Sequence, residues 1–154
     1  RRVLFRSEVP EDDYIVPIGK AEVKREGDHC TIITHGKSVV TALQVADAMA
    51  KDGGYRIEVV DLRTIRPMDV EAITASVRKT NRAVVLEEGW EVCGVGAQVV
   101  DYVQRHCFDH LDAPILRVHQ EDVPMPYAKN LERAAKPDVA KAVAAIKQVM
   151  YVGA

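Results

Sequence analysis

The feature that most constrains the fold is an alternation of short β-branched apolar runs with longer amphipathic stretches. Short, continuously apolar runs are typical of parallel strands that are covered on both faces. The longer stretches repeat their apolar residues at helical spacing. The strand-like runs are CTIIT, RIEVVDL, RAVVLEEG and ILRVHQ, and a helical stretch follows each of them. This order predicts an α/β protein, a three-layer α/β/α sandwich around a mostly parallel sheet.

One more strand is predicted near the start of the chain. Pro17 and Gly19 interrupt an extended segment, and a short strand follows at residues 21–24. A strand in this position is expected at a sheet edge, where an interrupted ladder is tolerated. The sheet is therefore expected to have about five strands and to be mixed.

Length and charge limit the classes of function. A chain of 154 residues that is 47% hydrophobic has the size of one compact domain. We expect residues 1–13 to be a tail or linker remnant and residues 14–154 to be the domain. The formal net charge is -2, which leaves no basic surplus for nucleic acid, and no apolar stretch is long enough for a membrane span.

The cysteines and histidines predict no metal site. Cys30, Cys93 and Cys107 are far apart and form no C-x-x-C pair, so we expect buried, unreactive thiols in a reduced intracellular protein. His106 and His110 are spaced to share one helix face. A partly exposed helix end explains them better than zinc does, since no carboxylate ligand pattern accompanies them.

Charge is concentrated where the second strand-like run turns into a helix, in the sequence DLRTIRPMD. Pro67 ends the extended run, and Asp69 is placed to cap the helix that follows. Arg63 and Arg66 either pair with Asp61 and Asp69 or face outward to an anion or another subunit. Pairing within the corner is the favoured alternative.

A second group of polar residues follows the next strand. Glu87 and Glu88 are expected at the carboxyl edge of the sheet, where open α/β folds bind ligands. No partner group is evident from the sequence, so no role is assigned to them. Gly94 and Gly96 lack the third glycine of a dinucleotide fingerprint and are expected to let a helix start close to the sheet or to another chain.

Five stretches in order carry a resemblance to a known family: DLRTIRPMD, LEEGW, GVGAQV, LDAPILRV and DVPMPYAKNLE. Together they resemble the C-terminal domain of the beta subunit of the pyruvate dehydrogenase decarboxylating component, in the thiamine-diphosphate transketolase superfamily. The likeness covers residues 8–151. The first stretch is similar to a D-x-R-x-x-x-P-x-D signature of that superfamily, and the last points to its pyruvate branch.

The resemblance implies a transketolase C-terminal-domain-like fold with the chemistry located elsewhere. In the full enzyme, thiamine diphosphate and magnesium lie between the GDG motif of the alpha subunit and a glutamate in the N-terminal domain of the beta subunit. This sequence contains no GDG motif. We therefore assign it no catalytic, cofactor-binding or metal-binding residue and expect the domain alone to bind no cofactor and to be inactive.

The same resemblance implies three partners: an alpha subunit, a second beta subunit and a dihydrolipoyl acetyltransferase core. Docking of that core is implied at Asp112 and at the end of the last helix, near Met150 and Tyr151. The residues implied at subunit interfaces are Gly94, Gly96, Pro124, Pro126 and Tyr127. The location implied is the cytoplasm of a bacterium or the mitochondrial matrix of a eukaryote.

Two alternatives remain open. One is a self-sufficient α/β protein that binds a small anion through Arg63 and Arg66. The other is the beta subunit of a branched-chain 2-oxo acid or acetoin dehydrogenase.

Overall fold

A computed structural model describes residues 14–153, so the expected tail at residues 1–13 lies outside the described residues. Five strands form one sheet: β1 (Glu22–Arg25), β2 (Cys30–Thr34), β3 (Ile57–Asp61), β4 (Ala83–Trp90) and β5 (Leu116–Gln120). The helices are α1 (Ser38–Gly53), α2 (Val70–Thr80), α3 (Val95–Cys107), α4 (Lys129–Ala135) and α5 (Val139–Met150), with a short 3-10 helix at Phe108–His110.

The strand order is β1-β3-β2-β4-β5. Strands β3, β2, β4 and β5 are parallel, and β1 pairs antiparallel with β3 at the edge. The sheet is therefore mixed and five-stranded, and the predicted edge strand is confirmed.

The two faces of the sheet carry separate hydrophobic cores. Cys30 and Ile32 of β2 pack beneath α1 and α5, whereas Ile33 packs beneath α2 and α3. Because side chains alternate across a strand, one short apolar run supplies both cores. The α/β/α sandwich that the alternating pattern predicted is confirmed.

One helix differs from the sequence pattern. Helix α4 has no predicted counterpart, because only Ala135 of its residues is buried and no apolar face marks it. The last helix, α5, is capped by Asp138, whose side chain accepts from the Lys141 backbone N–H at 2.8 Å.

Candidate functional site

The charged corner between β3 and α2 is fastened to the segment before β1. Asp69 caps α2 by accepting from the Ala72 backbone N–H at 3.2 Å, which confirms the predicted cap. Its second oxygen accepts from the backbone N–H of Ala21 at 3.0 Å. Gly19 donates to the Thr64 hydroxyl at 2.9 Å and packs against Pro67. One carboxylate thus joins the edge strand to the start of a helix.

The predicted pairing of Arg63 with Asp61 and Asp69 is wrong. Its guanidinium pairs with Glu22 and donates to the Tyr14 hydroxyl at 2.9 Å. The reason is the antiparallel register of β1, which places Glu22 directly opposite Asp61. Asp61 instead accepts from the backbone N–H of Arg63 at 3.0 Å and supports its left-handed backbone at φ 55°. Lys24 first, and then Arg63, lower the pKa of the Glu22 carboxyl.

Arg66 follows the outward-facing alternative. It is exposed and makes no ion pair or side-chain hydrogen bond with any residue in 14–153. Together with Pro67 it lines an open groove of about 930 Å³ that extends to Cys93 and the first turn of α3. The corner therefore presents one cation to the surface and keeps the other in an internal ion pair.

Glu87, which the sequence left without a partner, is the buried acid of a cluster at the carboxyl edge. It is 1% exposed and pairs with Arg117 of β5 at 2.8 Å. Both of its oxygens accept from the Gly96 backbone N–H at 3.0 Å. Arg117 also donates to the Glu91 carbonyl at 2.8 Å and so holds the loop between β4 and α3. The role of Arg117 was missed, since an arginine in a strand has no local signature.

The two glycines at the start of α3 fit closely around this cluster. A Cβ at Gly96 would lie 2.4 Å from the Glu87 carboxylate, and one at Gly94 would lie 2.5 Å from the Trp90 carbonyl. They therefore allow the helix to start against the sheet, one of the two alternatives weighed from the sequence. Their place at a subunit interface stays a prediction.

Exposed apolar side chains occur at the end of β4 and in the segments that follow β3, β4 and β5. We call this set the carboxyl-edge apolar surface. Its members are Ile65, Trp90, Val92, Val123, Met125, Tyr127 and Leu131. Tyr127 is fully exposed, and the interface candidates Pro124 and Pro126 lie in the same loop. Contiguous exposed hydrophobic side chains are typical of surfaces that contact other proteins.

The predicted docking residues lie at the opposite edge of the sheet. Asp112 precedes β5, and Tyr151 ends α5. Tyr151 and the two residues after Asp112, Ala113 and Pro114, line one small pocket of about 90 Å³, so the two predicted positions are neighbours. Tyr151 is largely exposed, whereas Met150 is half-buried against the core.

One cysteine differs from its predicted environment. Cys30 and Cys107 are buried as expected, and burial raises the pKa of the Cys30 thiol to about 12. Cys93 is exposed, so its predicted burial is wrong: the loop that carries it lies outside the core, at the rim of the groove.

The two histidines near the end of α3 do not share a helix face. Helix α3 ends at Cys107, so His106 lies in it and His110 lies in the 3-10 helix that follows.

The buried carboxylates of the described residues are not free to bind the magnesium ion of a diphosphate cofactor. Each fully buried glutamate already contacts a cation of this chain: Glu87 contacts Arg117, and Glu58 contacts Lys79. No group of three or more His, Cys, Asp or Glu residues suited to a metal ion occurs in residues 14–153. The expectation that the domain alone binds no thiamine diphosphate or magnesium stays a prediction.

A model of the transketolase C-terminal domain matches residues 19–142. The chain belongs to the transketolase C-terminal domain family, which confirms the resemblance. It is 48% identical over 139 residues to the mitochondrial pyruvate dehydrogenase E1 component subunit beta of Dictyostelium discoideum, covering 90% of this chain and 39% of that protein. It is 46% identical over 145 residues to the corresponding subunit of Rhizobium meliloti (strain 1021), covering 94% and 31%. The chain thus spans less than half the length of these two relatives.

Solved structures agree on the fold. A split-gene transketolase described as an inactive beta4 tetramer matches with a TM-score of 0.78 and 26% identity, over 95% of this chain and 46% of that one. Transketolase from Campylobacter jejuni matches with a TM-score of 0.52 and 14% identity, over 81% and 18%, and supports the fold alone. Within residues 14–153, no helix is long and apolar enough to cross a membrane.

Proposed function

We propose that this chain is the C-terminal assembly and docking domain of a pyruvate dehydrogenase beta subunit, with residues 14–154 forming one domain. The complete enzyme oxidatively decarboxylates pyruvate with thiamine diphosphate and magnesium and acetylates lipoyl groups, while this domain alone binds no cofactor and is inactive. The names of the related proteins support pyruvate over branched-chain 2-oxo acids or acetoin. They include bacterial and mitochondrial forms, in keeping with a cytoplasmic or matrix location.

The observation that carries the assembly role is the carboxyl-edge apolar surface. Large apolar side chains at the end of β4 and in the segments after β3, β4 and β5 are left in water, although the central strand β2 is buried along its whole length. Covering them with a second beta subunit or the alpha subunit would gain roughly 25 cal/mol per Å² of apolar area. The tetrameric state of the similar split-gene transketolase supports self-association.

The docking role is proposed for the opposite edge. Asp112 offers a carboxylate one residue before the small pocket that Ala113, Pro114 and Tyr151 line, and Tyr151 also lines a second groove of about 470 Å³ at the end of α5. A carboxylate and an exposed aromatic ring on one edge suit a small basic domain, such as the binding domain of the dihydrolipoyl acetyltransferase core. The two proposed interfaces are at opposite edges of the sheet, so both partners can bind at once.

Sedimentation equilibrium of the whole chain tests the assembly role. We expect concentration-dependent self-association that weakens in the double variant Trp90→Ser with Tyr127→Ser, because both side chains belong to the proposed interface. Tyr151→Ser is the matched control, since it removes an exposed aromatic ring from the opposite edge. A wild-type chain that stays monomeric at high concentration and also fails to bind the alpha subunit would contradict the proposal.

Calorimetry separates this function from the small-anion alternative. Arg63 is already paired with Glu22, which leaves only Arg66 of the two arginines for an anion. We expect no heat when the chain is titrated with thiamine diphosphate and magnesium, or with inorganic phosphate. Micromolar phosphate binding that disappears in Arg66→Ala would favour the alternative.

A further inference from the structure

The carboxylate proposed for docking is engaged by an arginine of its own chain. Arg82, in the turn between α2 and β4, places a terminal guanidinium nitrogen 2.7 Å from Asp112 Oδ2. The Arg82 side chain is 30% exposed and that of Asp112 is 45% exposed, so the pair lies at the surface without being fully solvated. Among the described residues, Arg82 forms no other ion pair.

The position of Asp112 does not depend on this pair. The Asp112 backbone N–H donates to the Asn81 carbonyl at 2.9 Å and joins the loop before β5 to the turn that carries Arg82. That turn is itself held to the sheet, because the Arg82 carbonyl accepts from the Thr31 backbone N–H at 2.8 Å. The guanidinium therefore acts on the charge of the carboxylate, while backbone bonds hold its place.

Breaking the ion pair with Asp112 is unfavourable for Arg82. Its Nε is buried and has no hydrogen-bond partner in residues 14–153, so the guanidinium depends on Asp112 for compensation of its charge. A partner cation that takes Asp112 Oδ2 leaves a partly buried arginine without a carboxylate. Stranding a charge in this way opposes binding.

We infer that Arg82 is an internal competitor for the docking carboxylate and lowers the affinity of the surface for a basic partner. The inference rests on the docking role proposed above for Asp112. A basic group of the incoming domain and the guanidinium of Arg82 compete for the same carboxylate, of which Arg82 already contacts Oδ2. This competition keeps docking reversible and favours partners that present more than one cation, since only these offset the lost internal pair.

Binding of the acetyltransferase binding domain to the full chain, measured by calorimetry, tests the inference. We expect Arg82→Met to lower the Kd by roughly twofold to fivefold, the range that a competing exposed ion pair can account for. Asp112→Asn should raise the Kd. In the Asp112→Asn background, Arg82→Met should give no gain, because the carboxylate for which the two cations compete is absent.

Arg25→Met is the matched control for net charge. Arg25 pairs with Asp47 at 2.5 Å. It lies on β1, the outermost strand at the end of the sheet opposite β5. The variant therefore removes the same charge from a similar pair outside the docking surface. Its Kd should stay that of the wild type. If Arg82→Met unfolds the chain, Arg82→Gln serves in its place and keeps the side chain neutral.

The outcomes separate the two proposals. If Asp112→Asn weakens binding but Arg82→Met leaves it unchanged or weakens it, docking stands and the competition is overturned, because Arg82 then either tolerates the partner or positions the carboxylate. If Arg25→Met lowers the Kd as much as Arg82→Met does, the effect comes from net charge alone, and the competition is again overturned. If the wild-type chain does not bind the domain, or Asp112→Asn binds normally, the docking role fails and the inference fails with it.

Discussion

Glu87 on β4 and Arg117 on β5 form a buried ion pair at 2.8 Å between neighbouring parallel strands, and the first turn of α3 closes over it. The pair joins three elements, because the carboxylate also accepts from the Gly96 backbone N–H and the guanidinium donates to the Glu91 carbonyl. Such a pair adds little stability compared with apolar packing, but each charge depends strongly on the other. It fixes the loop that presents Trp90 and Val92 at the proposed interface.

Arg117→Met should therefore destabilise the domain strongly. The variant leaves Glu87, which is 1% exposed, without its cation, and we expect a loss of roughly 3–5 kcal/mol in the free energy of unfolding by urea. Arg105→Met is the matched control: Arg105 pairs with Asp101 on the surface of α3, and the expected change is below about 1 kcal/mol. Equal losses in the two variants would contradict the importance of burial.

Gly96→Ala should disturb the same cluster through its backbone. A methyl group there would lie 2.4 Å from the Glu87 carboxylate, so the helix or the ion pair must shift, at a cost of about 1–3 kcal/mol from overpacking. Gly89→Ala is a graded control, because its methyl group would lie 3.2 Å from the other oxygen of the same carboxylate. Urea unfolding should rank Gly96→Ala as the more destabilised, and the reverse order would exclude the predicted clash.

The three thiols should react at very different rates. Cys93 is exposed, whereas Cys30 and Cys107 are buried, and burial raises the pKa of both buried thiols. Since the thiolate is the reactive form, an aromatic disulfide reagent near neutral pH should label one thiol rapidly and the other two only after unfolding. Cys93→Ser should remove the fast phase, and a fast phase that persists in this variant would show that the core opens.

The pair between Glu121 and Lys141 should make stability depend on pH in the acid range. A hydrogen bond from the Lys141 ammonium lowers the pKa of the Glu121 carboxyl below its ordinary value of 4.5. The folded state thus binds a proton less readily than the unfolded state, so the contribution is present above that value and is lost as the pH falls through the lowered pKa.

Thermal unfolding of Glu121→Gln measures this contribution. The wild type should have the higher Tm near pH 7, and the difference should shrink below about pH 4. Glu91→Gln is the control, because Glu91 forms no ion pair with the described residues. A Tm difference that stays constant over the acid range would contradict the assignment.

Local features of the site could be predicted from the sequence, whereas the side chains that pair across the sheet could not. The Asp69 cap lies three residues before the N–H that it accepts, so the sequence contains both partners. The side-chain partner of Arg63 comes from a strand 41 residues earlier, and that of Glu87 from a strand 30 residues later. Helix α4 and the exposure of Cys93 were missed for a different reason, because no local apolar pattern marks either of them.

The layers of this protein follow from its sequence alone, because the periods of its apolar residues decide which segments become strands and helices and which faces they bury. The family also follows from the sequence, through five short stretches in order. Which charges meet depends instead on the folded sheet, because an ion pair forms between side chains that strand register brings together, and register depends on all the strands. Arg63 with Glu22, Glu87 with Arg117 and Arg82 with Asp112 are all pairs of this kind.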